Sequence, residues 1–173
     1  LEHRGEVVRD SRNIHRYRFQ ATNQPGYDFT TIRDVYEAAD RRLLILGAPG
    51  TGKTTLLLGL TRDLLTSAAA DETYPIPVVF QLASWTKSQN MNLQSWLIQE
   101  LKNIYDVPNN IAHSWIQNSR ILPLLDSLDE VPLAQRGACV EAINAFLTTQ
   151  LEFLPLVVCC RTDAYTVLPV KLQ

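Results

Sequence analysis

No stretch of this 173-residue chain is apolar for long enough to cross a bilayer, and its N-terminus lacks the pattern of a secretory signal. Membrane spanning and export are therefore not expected; a cytoplasmic setting is. Cysteine is scarce. Cys139, Cys159 and Cys160 are odd in number, two are adjacent inside an apolar run, and none has zinc-type spacing to His3, His15 or His113. That usage argues against a disulfide framework and a structural zinc site, and the three read as small core residues. Excess positive charge is missing too: 16 Lys and Arg against 18 Asp and Glu leave a formal net charge of −2. The whole chain has no cationic field to gather nucleic acid, which is not an expected partner.

One segment is locally basic. Arg4, Arg9, Arg12, Arg16 and Arg18 lie together with His3 and His15, but Glu2, Glu6 and Asp10 dilute them, as in a solvated linker. Asn23-Gln24-Pro25-Gly26 is a turn signal, so residues 1–24 are expected to form a linker or arm and residues 25–173 a domain. A hydrophobic content of 46% suffices for the core of one such domain. The first residue is Leu1 rather than Met, and Gln173 closely follows an apolar stretch, so the sequence reads as a piece of a longer protein.

Apolar patterning predicts alternating elements. Residues 30–41 form a short helix with Thr30 as N-cap, and residues 43–46 a buried strand. A helix through Leu56, Leu57, Leu60, Leu64 and Leu65 runs to about residue 67, followed by a strand over residues 77–82. Leu93, Trp96, Leu97, Leu101 and Ile104 mark one face of the next helix, a stripe read as core packing, and a short helix includes Trp115. Residues 121–125 make a strand, 134–150 a helix through Cys139, Ala142, Ile143, Phe146 and Leu147, and 154–160 a last strand. Continuously apolar strands between amphipathic helices mean an α/β fold in three layers, a mostly parallel sheet covered by helices on both faces. In such sheets ligands gather at the carboxyl ends of the strands.

The glycine-rich stretch sits at one such end. Gly47-Ala48-Pro49-Gly50-Thr51-Gly52-Lys53-Thr54 fits G-x-x-x-x-G-K-[ST] without a mismatch, directly after Leu43-Leu44-Ile45-Leu46. A strand that reopens as a helix through glycines aims backbone N–H groups and the positive end of the helix dipole at one point, which suits a polyphosphate. Gly47, Gly50 and Gly52 can take positive φ and let the backbone approach phosphate, Lys53 is expected to reach the β- and γ-phosphates and Thr54 to ligate Mg²⁺, and Thr55 closes the nucleotide-binding stretch. The alternative is a glycine-rich turn that binds nothing.

A second strand ends in acid. Ile121-Leu122-Pro123-Leu124-Leu125-Asp126 has the form of a Walker B element, with Asp126 as a Mg²⁺ residue, and Ser127-Leu128-Asp129-Glu130 extends it. Asp129 and Glu130 suit a site that orients water against the γ-phosphate, Glu130 being the better candidate to polarise it. Alternatively the pair merely leads into the next helix. Arg161, after Leu156-Val157-Val158-Cys159-Cys160, either senses the γ-phosphate or pairs with Asp126, Asp129 or Asp163.

These motifs in this order, with Asp126-Ser127-Leu128-Asp129-Glu130 as the most specific piece, resemble the NACHT family of signal-transduction P-loop ATPases over about residues 29–161. The resemblance implies a P-loop NTPase core of the STAND class using ATP/ADP and Mg²⁺, and its style suggests a bacterial member. By the same resemblance Lys53 and Thr54 would be the phosphate and metal residues and Asp126 the Walker B acid. Asp129 and Glu130 would be the extended acidic pair, Arg161 the sensor, and residues 27–32 contributors to the base pocket. Phe80-Gln81-Leu82-Ala83-Ser84-Trp85 is similar to the strand and polar loop between the Walker motifs of that family.

Family members switch between ADP and ATP states, self-associate and hydrolyse slowly, which makes a slow NTPase the leading expectation. Preference for adenine is likewise implied by resemblance, and no guanine-reading Asn-Lys-x-Asp motif is present. A departure is that none of the three histidines holds the position from which the family's winged-helix segment supplies one to phosphate. A remodelling ATPase of the AAA+ type and a nucleotide-binding module without turnover are the alternatives. A small-molecule kinase should show an arginine-rich lid after the second motif, which is absent.

Overall fold

A computed structural model describes residues 5–9, 15–19, 31–87, 92–149 and 154–173. Its sheet has six strands in the order β1-β2-β3-β6-β5-β4. They are β1 (Gly5–Arg9), β2 (His15–Phe19), β3 (Arg42–Gly47), β4 (Ile76–Gln81), β5 (Ile121–Asp126) and β6 (Leu156–Arg161). The four strands β3, β6, β5 and β4 are all parallel, β2 joins β3 in parallel, and β1 pairs antiparallel with β2. The α/β class and the mostly parallel sheet are as the apolar runs predicted. Two strands that the patterning did not assign, β1 and β2, lie within the expected arm.

Six α-helices occur among the described residues: α1 (Ile32–Ala38), α2 (Lys53–Ala70), α3 (Leu93–Tyr105), α4 (Asn109–Gln117), α5 (Leu133–Thr149) and α6 (Thr162–Thr166). Leu57, Leu60 and Leu64 of α2 join Val35 and Tyr36 of α1 and Ile45, Leu124 and Val157 of the strands in one core. On the opposite face, Trp96 and Leu97 of α3, Ile116 of α4 and Val140 and Ile143 of α5 pack on Leu44, Leu125 and Val158. The direction of travel explains this division. From β3 to β4 the chain passes β6 and β5 in one direction through α2, whereas β4 to β5 and β5 to β6 run back through α3, α4 and α5. Crossovers of one hand that travel in opposite directions must use opposite faces.

Several local expectations are adjusted. The N-cap of α1 is Thr31 rather than Thr30: its hydroxyl accepts from the Asp34 N–H, and the Asp34 carboxylate accepts from the Thr31 N–H, a reciprocal capping box. Thr30 lies outside the described residues. Ile104 is 55% exposed and so leaves the apolar face of α3, and α2 runs three residues further than expected, through Ala68, Ala69 and Ala70. Leu82, expected to end the strand, and the polar loop that the resemblance implied after it fall in a 3-10 helix over Leu82–Lys87, where Trp85 packs edge-on against Trp96 at 5.6 Å. That stripe is core packing, as expected.

Candidate functional site

Because β3, β5 and β6 run parallel, Gly47, Asp126 and Arg161 end their strands at one edge of the sheet. Gly47 and Arg161 are cross-strand neighbours. From β3 the chain turns toward the face covered by α2, and from β6 toward α6, whose Tyr165 belongs to the opposite core. Chain leaving two adjacent strands toward opposite faces opens a crevice at their carboxyl ends, the place where α/β sheets receive ligands.

The turn after β3 is shaped by backbone. Gly50 and Gly52 have φ of 74° and 84°, values that L side chains adopt only under strain. Gly47 does not share this conformation: it is the last, paired residue of β3, where extended backbone suffices. Gly52 is the N-cap of α2 and no side chain caps that helix, so its first-turn N–H groups face the crevice without a local acceptor. Ala48, Pro49 and Gly50 are exposed and Thr51 half-buried, its hydroxyl donating to Ala48 O at 2.9 Å. Lys53 folds over the turn, with Nζ 3.1 Å from Gly47 O and 2.9 Å from Ala48 O. Thr54 and Thr55 follow as exposed first-turn residues.

The turn after β5 is shaped by side chains. Asp126 is only 2% exposed, and its Oδ2 accepts from the Thr54 hydroxyl at 3.0 Å, joining the two turns across 72 residues. Ser127 then takes φ of 61°, a left-handed conformation that reverses the chain into the short 3-10 helix Leu128–Glu130. Leu128 is buried below it.

Asp129 turns away from Asp126 and toward Arg161. Its Oδ2 lies 2.7 Å from Arg161 Nε and its Oδ1 accepts the Arg161 N–H at 3.0 Å, so one carboxylate holds both side chain and backbone at the end of β6. Of the three carboxylates open to Arg161, the structure thus selects Asp129; Asp163, in the first turn of α6, instead accepts the neighbouring Ala164 N–H at 2.8 Å. Arg161 keeps 46% of its side chain exposed. The exposed Glu130 carboxylate makes no hydrogen bond or ion pair among the described residues. Arg136, which the motifs did not single out, is buried in α5 and donates to Asp129 O at 2.6 Å and to Val131 O. The available signal was spacing, since Arg136 falls on the apolar stripe of Cys139, Val140 and Ile143.

The cysteines are core thiols. Burial pushes Cys139 and Cys160 up to about 12, and Cys159, beneath the site on β6, well above its ordinary value, first by burial and then by the Asp126 charge. None supplies a thiolate. Among the described residues no three or more His, Cys, Asp or Glu converge as a metal cage, and no helix is long and apolar enough to cross a membrane. Most of residues 27–32, expected near the base, lie outside the described residues; Ile32 packs on the α1–α2 core.

The model of the family described as NACHT domain matches residues 41–173. No curated protein and no solved structure gives a match. The matched residues begin at the edge of β3 and take in the glycine turn, the acidic turn and the end of β6, well over half of the chain. A sheet of this topology, a glycine turn opening α2, a Thr–Asp pair joining the two turns and a family match across all of them lead to one conclusion: the chain is a nucleotide-binding P-loop NTPase domain and belongs to the NACHT family.

Proposed function

We propose that this domain is an ATP-binding regulatory switch that hydrolyses its nucleotide slowly, within a cytoplasmic signalling protein of the STAND class that self-associates through it. The observation that carries this reading is the convergence of three differently engaged groups at one sheet edge. Thr54 is paired with buried Asp126, Lys53 lies over a turn rich in N–H groups, and exposed Glu130 stands unengaged in the turn after β5. In this reading the NTPase core spans residues 25–173, and residues 1–24 are an arm whose strands β1 and β2 extend its sheet.

In this reading residues 47–55 receive ATP or ADP: Gly50 and Gly52 let N–H groups approach the phosphates, Ala48, Pro49 and Thr51 complete the turn, and the α2 N-terminus adds its dipole. Lys53, on a flexible stem, transfers its ammonium donors from the Gly47 and Ala48 carbonyls to phosphate oxygens. The donor set suits Mg²⁺, a hard cation that takes one or two protein oxygens and keeps water and phosphate for the rest. Thr54 and Asp126 would hold it, and bound there it would neutralise charge on the phosphates. Glu130 orients a water against the γ-phosphate and accepts its proton as the new P–O bond forms and the bond to the ADP oxygen breaks. Arg161, paired through Nε and 46% exposed, would use its terminal guanidinium nitrogens to steady the charge on the departing phosphoryl group.

Slow turnover is supported by the same geometry. Glu130 is open to solvent and Arg161 is already engaged by Asp129, so neither is preorganised on the reacting group. Steady-state phosphate release at saturating Mg-ATP tests this directly. A switch should turn over far below the range of about 1–1,000 per second typical of enzymes, whereas a remodelling motor should fall inside it and a pure binding module should show none. Glu130→Gln should keep nucleotide affinity and lower turnover about a hundredfold or more. Unchanged turnover in that variant would remove Glu130 from the mechanism.

A further inference from the structure

Arg136 has a role that its position on α5 does not advertise. It is 9% exposed, on the same stripe as buried Cys139, Val140 and Ile143, where an aliphatic side chain would be the ordinary choice. Its guanidinium instead reaches the acidic turn. Nη2 donates to Asp129 O at 2.6 Å and to Val131 O at 3.0 Å, and Nε donates to Val131 O at 3.2 Å. These carbonyls bracket Glu130.

Besides Arg136, the turn is held by buried Leu128 and Val131 and by the Asp129 bonds to Arg161, and its own backbone bonds are few. It is a single 3-10 helix of three residues entered through a left-handed Ser127, and its own bonds are Glu130 N–H to Ser127 O at 2.9 Å and Val131 N–H to Leu128 O at 3.3 Å. The Glu130 carboxylate has no hydrogen bond or ion pair among the described residues, so only the backbone that carries it limits where it can reach. A planar fork of donors can hold two carbonyls at fixed separation, which a point charge such as lysine does less well.

We propose that Arg136 is a positioning residue for hydrolysis. From inside α5 it clamps the backbone on both sides of Glu130, and so limits the positions from which that exposed carboxylate can reach water. The same bond to Asp129 O steadies the residue whose carboxylate holds Arg161. Arg136 touches no nucleotide in this account. The proposal rests on Glu130 being the water-polarising residue, and its test separates the two ideas.

Arg136→Met and Arg136→Lys are compared with the parent for ADP affinity, ATP turnover, melting temperature and amide hydrogen exchange without nucleotide. The expected result for Arg136→Met is ADP affinity within about threefold of the parent and turnover at least about tenfold lower per folded molecule, with part of the loss recovered in Arg136→Lys. Exchange at the Glu130 and Val131 amides should rise about tenfold or more while that of β5 and α2 stays unchanged. Exchange unaltered at those two amides, or turnover falling only in step with the folded fraction, would overturn the proposal. A parent chain without turnover would instead refute the Glu130 reading and the catalytic half of this one, leaving exchange to decide the clamp. Should Arg136→Met fail to fold, Arg136→Lys carries both measurements: retained turnover with unaltered exchange overturns the clamp, and an intermediate loss of both supports it.

Discussion

The turn after β3 and the turn after β5 leave the same edge of the sheet, yet they are held in opposite ways. Between Gly47 and Thr54 the chain is shaped by two glycines at positive φ and by a helix that starts without a side-chain cap, all within eight consecutive residues. Between Asp126 and Glu130 shape depends on partners far away in sequence: Thr54 is 72 residues off and Arg161 is 32 residues off, with Arg136 reaching back from α5. A turn defined by backbone conformation can be recognised from its own residues. A turn defined by tertiary hydrogen bonds can be recognised only as strand-end acids.

Substitutions at the two turns should therefore fail differently. The larger effect is expected at Gly52→Ala. A Cβ there meets nothing closer than Thr55 Cβ at 4.0 Å, so the cost is conformational, from a φ of 84°. Fold stability should fall by about 1 kcal/mol, and nucleotide affinity by about tenfold as the N–H groups at the α2 N-terminus turn aside. Urea unfolding and a nucleotide titration measure the two separately, and an affinity as high as the parent's would contradict a backbone-built site.

Asp129→Asn should do less. The amide oxygen can still accept the Arg161 N–H, and the ion pair it weakens is 46% exposed at the arginine, so the loss of stability should stay at or below about 1 kcal/mol. ADP affinity should hardly move. A tenfold loss of ADP affinity in Asp129→Asn would show that the two turns are not separable in this way.

An effect that is negligible near neutral pH and grows with alkalinity comes from below both turns. Unfolded thiols ionise near pH 9, whereas buried Cys139 and Cys160 stay protonated up to about 12. The native state therefore binds more protons in that window, and stability must fall as pH rises through it. Tyr36, also raised by burial first, adds in the same direction at still higher pH. The check is a melting temperature that is level below pH 8 and declines above 9, with the thiols unreactive toward iodoacetamide until the protein unfolds. Rapid alkylation of the native chain near neutral pH would contradict it.

The contrast between the turns also explains what was legible in the sequence. Leu43 to Leu46, the glycines and the leucines of α2 form one contiguous pattern, so strand, turn and helix could be placed from residue order. Asp126 was legible for the same reason, as the end of an apolar run. Arg161 could be placed at a strand end, but its choice of Asp129 depends on the register of β6 and on the reversal at Ser127, neither of which leaves a local mark. Arg136 was harder, because its partners are carbonyls and every residue has one. The strand β2 did leave a mark: His15, Tyr17 and Phe19 alternate with Arg16 and Arg18, a period of two that the concentration of charge obscured. The end of α1 was misjudged by a few residues because Asp40 and Arg41 turn left-handed, a conformation that composition does not favour there.

The central claim is that the backbone-built turn holds a polyphosphate through Lys53. Calorimetric titration of the chain with Mg-ATP and with ADP, beside Lys53→Ala, tests it most directly. Saturable binding of both nucleotides at one site, weakened at least about tenfold in Lys53→Ala, is the predicted result. Equal affinity in the parent and in Lys53→Ala, or no heat from either nucleotide in the parent, would contradict the account.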